Sequence, residues 1–65
     1  MKLLVNGMSM DVHSNTLEAL LDAQGLRDAK VATAVNGAFV PATFRVTYLL
    51  SDGDSVEILA PMQGG

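Results

Sequence analysis

The apolar residues change their spacing several times along the chain, and each change marks an element. Leu3, Leu4 and Val5 form a short apolar run that ends at Asn6-Gly7, after which Met8, Met10 and Val12 alternate with Ser9 and Asp11. Alternation of that kind is the two-residue period of a strand. Asn-Gly suits a type I′ turn, in which both central residues need positive φ, so Lys2 to Val12 reads as a β-hairpin. Leu17, Leu20 and Leu21 then fall at i, i+3 and i+4, on one face of a helix. Asn15, with Glu18 three residues later, and Thr16 are equally good caps for its start. Gly25 suits the left-handed residue past the last turn, and Leu26 can supply the apolar contact that accompanies it. The helix is predicted from Thr16 to Gln24.

Val31 to Val35 is rich in small and β-branched residues and runs into a second Asn-Gly, Asn36-Gly37. Ala38-Phe39-Val40 follows, and Pro41 stops it by removing a backbone donor, which makes a second, shorter hairpin. Between Ala42 and Leu50, Phe44, Val46 and Tyr48 alternate as in a strand, while Leu49-Leu50 breaks the period. Ser51-Asp52-Gly53-Asp54 reads as a turn, and Ser55 to Leu59 as a last strand with Val56 and Ile58 on one face. The order is hairpin, helix, hairpin, turn, strand. One amphipathic helix must then cover one face of a mixed four- or five-stranded sheet, an α+β roll in two layers. The expected division is a folded domain over 1–60 and a flexible Gly-Gly tail over 61–65.

Composition narrows what such a roll can do. A chain of 65 residues is one small domain. Hydrophobic residues make up 49% of it and charged ones 17%, which is not the composition of disorder. A formal charge of −3 argues against nucleic acid, which asks for a basic stripe. No apolar run approaches the ~20 residues of a membrane span, and the opening run is too short for a signal peptide. The expectation is a cytoplasmic protein, monomeric on its own.

Catalytic chemistry is poorly supplied. The chain has no cysteine, which removes disulfides, thiolate metal sites and cysteine nucleophiles. His13 is the single histidine, placed between the first hairpin and the helix, and reads as a solvated loop residue. Asp52 and Asp54 flank a glycine, but Glu57 comes too early to close a calcium loop, so a turn is the better reading. Met8 and Met10 read as packing residues. The serines lack a credible base, and neither Asn-Gly belongs to a phosphate-binding glycine pattern. The expectation is a protein that is not an enzyme, with no catalytic residue, no metal and no bound cofactor.

Gly64-Gly65 is the remaining feature. Two glycines at the last two positions occur by chance in about one chain in 200. A strand that leads into Gly-Gly presents an α-carboxylate on a thin arm, and residues without a Cβ can enter a narrow channel. A carboxylate becomes reactive only as an acyl-phosphate anhydride, so such an arm asks for a partner that uses ATP.

These residues carry a resemblance to the ThiS family, the sulfur carriers of thiamin biosynthesis, which are β-grasp proteins related in fold to ubiquitin. It rests on Val5-Asn6-Gly7, Thr16-Leu17 with Leu20-Leu21, and Ala34-Val35-Asn36-Gly37 followed by Val40-Pro41. It continues through Leu50, Asp52-Gly53-Asp54, Val56-Glu57-Ile58 and Gly64-Gly65. Each motif is weak alone; their order and the length make them specific. Two positions depart from the family pattern: Ala42 stands where a basic residue often follows the proline, and Arg45 where an aromatic is usual. Phe44, beside it, is expected to take over that packing.

The resemblance implies that a ThiF-like adenylating enzyme joins the Gly65 carboxylate to AMP, consuming ATP. A persulfide from a sulfurtransferase then displaces AMP, and reduction leaves a thiocarboxylate on Gly65. A ThiG-like thiazole synthase takes that sulfur for the thiazole ring. Pro61, Met62, Gln63 and Gly64 would be the arm threaded into partner sites. The β-grasp fold pairs its first and last strands in parallel at the centre of the sheet. Strand alternation then puts Leu4 and Leu59 close together on the uncovered face, where with Met62 they would form a docking patch. The small subunit of molybdopterin synthase, another Gly-Gly carrier, is the second reading, disfavoured by the compact length and Val40-Pro41. A ubiquitin-like protein modifier and a β-grasp RNA-binding domain are further alternatives; the acidic balance speaks against the last.

Overall fold

A computed structural model describes residues 1–60; the expected tail, 61–65, lies outside the described residues. Strands β1 (Lys2–Val5) and β2 (Met8–Asp11) form the first hairpin, and β3 (Ala32–Val35) and β4 (Ala38–Val40) the second. Helix α1 (Leu17–Ala23) lies between the hairpins in sequence, and β5 (Ser55–Leu59) follows them. The five strands form one mixed sheet in the order β2-β1-β5-β3-β4. β5 runs parallel to β1 and antiparallel to β3, so the parallel central pair expected from the resemblance is present.

Local chemistry explains the corners. Asn6 and Asn36 have φ of 51° and 52°, and the glycines after them 82° and 84°, the positive pair a type I′ turn requires. At the helix start the choice falls on Thr16, whose Oγ1 accepts from the Ala19 N–H at 3.1 Å. At its end the Gly25 N–H bonds to the Asp22 carbonyl and the Leu26 N–H to that of Leu21, the paired bonds of a left-handed glycine cap. Leu17, Leu20 and Leu21 are all buried, as their spacing required. Leu17 and Leu20 meet Leu3, Val5, Val12, Val35, Val40, Leu50 and Val56 in one core beneath the sheet.

Residues 42–50 do not form the strand that Phe44, Val46 and Tyr48 suggested. The chain makes a 3-10 turn over Ala42–Phe44, and Thr16 and Leu49 form an isolated β-bridge. The reason lies in the helix. The first amides of any helix lack intrahelical partners. Here Leu17 N–H donates to the Tyr48 carbonyl at 3.0 Å and Glu18 N–H to that of Arg45 at 3.1 Å. The segment therefore curls around the start of α1 and leaves Phe44, Val46 and Leu49 exposed. Phe44, at 60% exposure, does not take over any packing. Arg45 does the anchoring instead: its Nε donates to Thr33 Oγ1 at 3.0 Å and its Nη2 to the Val31 carbonyl at 2.6 Å. Thr33, buried at 1% exposure, donates in turn to the Val40 carbonyl.

Arg45→Ala tests that anchor. It removes both bonds and frees the Val31 carbonyl, so the expected cost is about 1–3 kcal/mol. Urea melts read the cost, and amide exchange at Leu17 and Glu18 should accelerate, because their acceptors sit in the released segment. Unchanged exchange there would show that the segment holds without the arginine.

Candidate functional site

The strand that leads toward Pro61 is held on both flanks by the two asparagine corners. On one flank β1 pairs with β5 only at Leu4–Ser55 and Val5–Val56. Past Val5 the backbone turns away at Asn6, but the Asn6 carboxamide reaches back. Its Oδ1 accepts from the Ile58 N–H at 2.8 Å and its Nδ2 donates to the Ile58 carbonyl at 3.1 Å. On the other flank Asn36 N–H donates to the Ser55 carbonyl at 2.7 Å, and Asn36 Oδ1 accepts from the Ser55 N–H at 2.9 Å. The Asn36 Nδ2 donates to Asp54 Oδ1 at 2.9 Å.

The turn before β5 is tied down in the same way. Asp52 accepts from the Lys2 N–H at 2.6 Å, and Asp54 from the Ser51 N–H at 2.8 Å. Both carboxylates thus hold backbone, which is the turn reading and not a calcium loop. Among the described residues no three His, Cys, Asp or Glu side chains gather where they could hold a metal ion. No helix among them is long and apolar enough to cross a membrane. His13 is exposed in the loop before α1, as expected. Met10 packs against the core, but Met8 does not: it lies 71% exposed at the turn end of the edge strand β2.

The uncovered face of the sheet corrects one expectation and adds two residues. Leu4 and Leu59 both face outward, at 42% and 61% exposure, but they are not neighbours. Leu4 lies opposite Ser55, and Leu59 is four residues further along β5, roughly 13 Å away at about 3.3 Å per residue. Leu59 pairs instead with Ala32, and Phe39 with Ala34. Phe39 is 69% exposed. A shallow groove of about 550 Å³ lies at the end of β5, lined by Lys30, Val31, Ala32, Leu59 and Ala60. A smaller depression of about 190 Å³ shares Ala32 and Leu59 and extends to Phe39 and Glu57. Leu59 therefore sits at the centre of an apolar surface whose lining does not include Leu4. The sequence contained a signal for Phe39, since Val40 beside it had to face inward. For Asn6 and Asn36 the signal was the recurrence of Val-Asn-Gly. Pro61, Met62, Gln63, Gly64 and Gly65 lie outside the described residues.

Comparison with known proteins meets this arrangement from three sides. The model of the ThiS family matches residues 3–65. The crystal structure of a thiamine biosynthesis protein, ThiS, from Geobacter metallireducens superposes with a TM-score of 0.86 at 32% identity, covering all of both chains. A solution structure of a thiamine biosynthesis protein from the same organism gives 0.79 at 30% identity, covering all of this chain and 88% of that one. A thiazole synthase of Paramagnetospirillum magneticum is 38% identical over 66 residues, which span this whole chain. The chain covers only 20% of that protein's length. The five-stranded mixed sheet covered by α1 is thus the β-grasp fold, and the chain belongs to the ThiS family.

Proposed function

We propose that this protein is a sulfur carrier of thiamin biosynthesis and that Gly65 holds the sulfur. Its α-carboxylate attacks the α-phosphate of ATP in a ThiF-like partner, releasing pyrophosphate and leaving Gly65 as an acyl-adenylate. A persulfide sulfur from a sulfurtransferase then attacks the acyl carbon and AMP leaves. A thiol then attacks the donor's sulfur in the resulting acyl disulfide; the S–S bond breaks, a thiocarboxylate stays on Gly65, and the thiol and donor leave joined as a disulfide. A thiazole synthase accepts that sulfur. The carrier acts as co-substrate, and the acid–base work falls to its partners. A chain without cysteine can hold sulfur only as a modified group, which agrees with this chemistry.

The observation that supports the reading most is the thiazole synthase from P. magneticum. A segment 38% identical to this whole chain forms a fifth of that protein, so a carrier-like unit and a thiazole synthase occur in one polypeptide. The test is intact-mass analysis after incubation with the adenylating partner, ATP and a persulfide source. One carboxylate oxygen should be replaced by sulfur, and peptide mapping should place the change at Gly65. The reading needs that carboxyl to be free, which the same spectrum reports. Sulfur on an internal side chain, or isopeptide attachment of Gly65 to other proteins, would overturn it.

Pro61, Met62, Gln63 and Gly64 form the arm in this reading, and the outer face of the sheet docks the partners. Leu59 is the centre of that face; Leu4 lies apart from it on the same side of the sheet, and Met62 follows Leu59 by three positions in the chain. A carboxylate at position 59 would place charge in the apolar groove beside Ala32, at a cost of about 2 kcal/mol or more in binding. Leu59→Asp is therefore expected to weaken binding to both the adenylating enzyme and the thiazole synthase by roughly thirtyfold. Leu4→Asp should lose much less. Isothermal titration with variants of unchanged circular dichroism reads the difference, and equal affinities would remove the sheet face from the docking surface.

A further inference from the structure

We propose that Asn6 is a positioning residue for the arm. Its carboxamide replaces the strand residues that β1 lacks and holds the Ile58–Leu59 end of β5 in the plane of the sheet. The proposal rests on the reading of residues 61–65 as an arm that partners engage.

The geometry is that of a peptide surrogate. Backbone pairing along the β1 flank ends with Asn6 N–H donating to the Val56 carbonyl at 2.8 Å. Were β1 to continue, the next backbone carbonyl would accept from Ile58 N–H and the next amide would donate to the Ile58 carbonyl. At Asn6 the backbone instead enters the left-handed region, with φ 51°, and turns toward Gly7. The side chain carries the same pair of groups as the missing peptide, and both are used. Oδ1 accepts from Ile58 N–H at 2.8 Å and Nδ2 donates to the Ile58 carbonyl at 3.1 Å. Without them, Ile58 and Leu59 would be paired only with Thr33 and Ala32 on β3.

The turn itself does not demand asparagine. Asp-Gly and Gly-Gly close the same type I′ corner. Aspartate would supply the acceptor but not the donor, and glycine would supply neither. The carboxamide is required by Ile58, fifty-two positions away, and not by the hairpin it sits in. Asn36 provides the internal comparison. It occupies an equivalent corner at φ 52° and also bonds β5 with its carboxamide oxygen, but at Ser55, the end remote from the arm. Loss of either carboxamide should loosen β5; only loss of Asn6 should loosen the end that leads to the arm.

A frayed strand end must be ordered again when a partner binds, and that cost falls on binding and not on the chemical step. The experiment compares Asn6→Gly, Asn36→Gly and the wild-type chain at a temperature where all are folded. Each is titrated into its adenylating partner and followed by ATP–pyrophosphate exchange. Asn6→Gly should raise KM for the carrier about tenfold with kcat within about twofold, as expected for the loss of two exposed hydrogen bonds. Asn36→Gly should leave KM within about twofold. Amide exchange at Leu59, whose strand partner is Ala32 and not Asn6, should accelerate about tenfold in Asn6→Gly alone. If Asn6→Gly fails to fold, Asn6→Asp takes its place; it tolerates the left-handed backbone, keeps the acceptor, and should raise KM by a smaller factor. An unchanged KM in the Asn6 variant, an equal rise in the Asn36 variant, or unaltered Leu59 exchange would overturn the proposal. If the wild-type chain itself supports no pyrophosphate exchange, the reading of the arm falls, and Leu59 exchange alone decides whether Asn6 holds the strand end.

Discussion

Gly64→Val is expected to lower the rate of Gly65 adenylation about a hundredfold while leaving the fold intact. The two halves of the expectation have separate causes. Among the described residues, every buried side chain lies between Leu3 and Val56, so the core they form is built without position 64. Activation is different, because the reacting carboxylate is the neighbouring residue's. A Cβ with two methyl groups at position 64 widens the arm and narrows its backbone freedom where partner backbone must approach it. Misplacement of a reacting group by about 1 Å costs roughly a hundredfold in rate. ATP–pyrophosphate exchange measures activation, and circular dichroism with thermal melting measures the fold. Normal exchange with the valine variant would mean that no narrow passage exists, and the threaded arm would have to be abandoned.

Leu20→Ala is expected to have the largest effect on stability. Leu20 is at 0% exposure between the helix and the sheet, and removing three carbons there leaves a cavity that costs about 2–5 kcal/mol. A chain of this size has roughly 3–10 kcal/mol of stability in total, at about 0.05–0.15 kcal/mol per residue. The variant should therefore lose about a fifth or more of its stability, seen as a lower urea midpoint at unchanged slope. Leu4→Ala, on the exposed face, should shift the midpoint by far less. Equal shifts for the two leucines would contradict the burial that separates them.

How far these features could be read in the residues depends on the range of the interaction that decides each one. The hairpin corners, the leucine face of α1 and the final strand are decided within a few residues, and Asn-Gly, i/i+3/i+4 spacing and alternation announce them. Residues 42–50 are decided elsewhere. Phe44, Val46 and Tyr48 alternate as well in an exposed curl as in a strand, and the curl wins because the Leu17 and Glu18 amides need acceptors. Nothing near position 45 in the sequence mentions that need. Leu4 and Leu59 show a second limit. Period two decides which face a side chain takes, but not the stagger of one strand against another. Their shared face was legible, and their separation along it was not. The candidate site divides similarly: Gly64-Gly65 stands out by composition, whereas the surface around Leu59 depends on its pairing with Ala32 across β3.

The parallel pairing of β1 with β5 at the middle of the sheet also governs how the molecule comes into being. Leu4 and Ser55 are adjacent in the fold but 51 positions apart in the chain, so nearly the whole domain must be looped before this pair can close. Contacts of such separation slow folding, because the entropy of closing the loop is lost before the contact returns anything. On a ribosome the two hairpins and the helix emerge first, with the central slot between β1 and β3 still empty and the core lacking Val56. An interrupted chain would be left with an open sheet and exposed leucines, a state suited to proteolysis or aggregation. The native sheet closes only around β5, so a molecule that has folded has, by that fact, been made as far as the strand that leads toward Pro61.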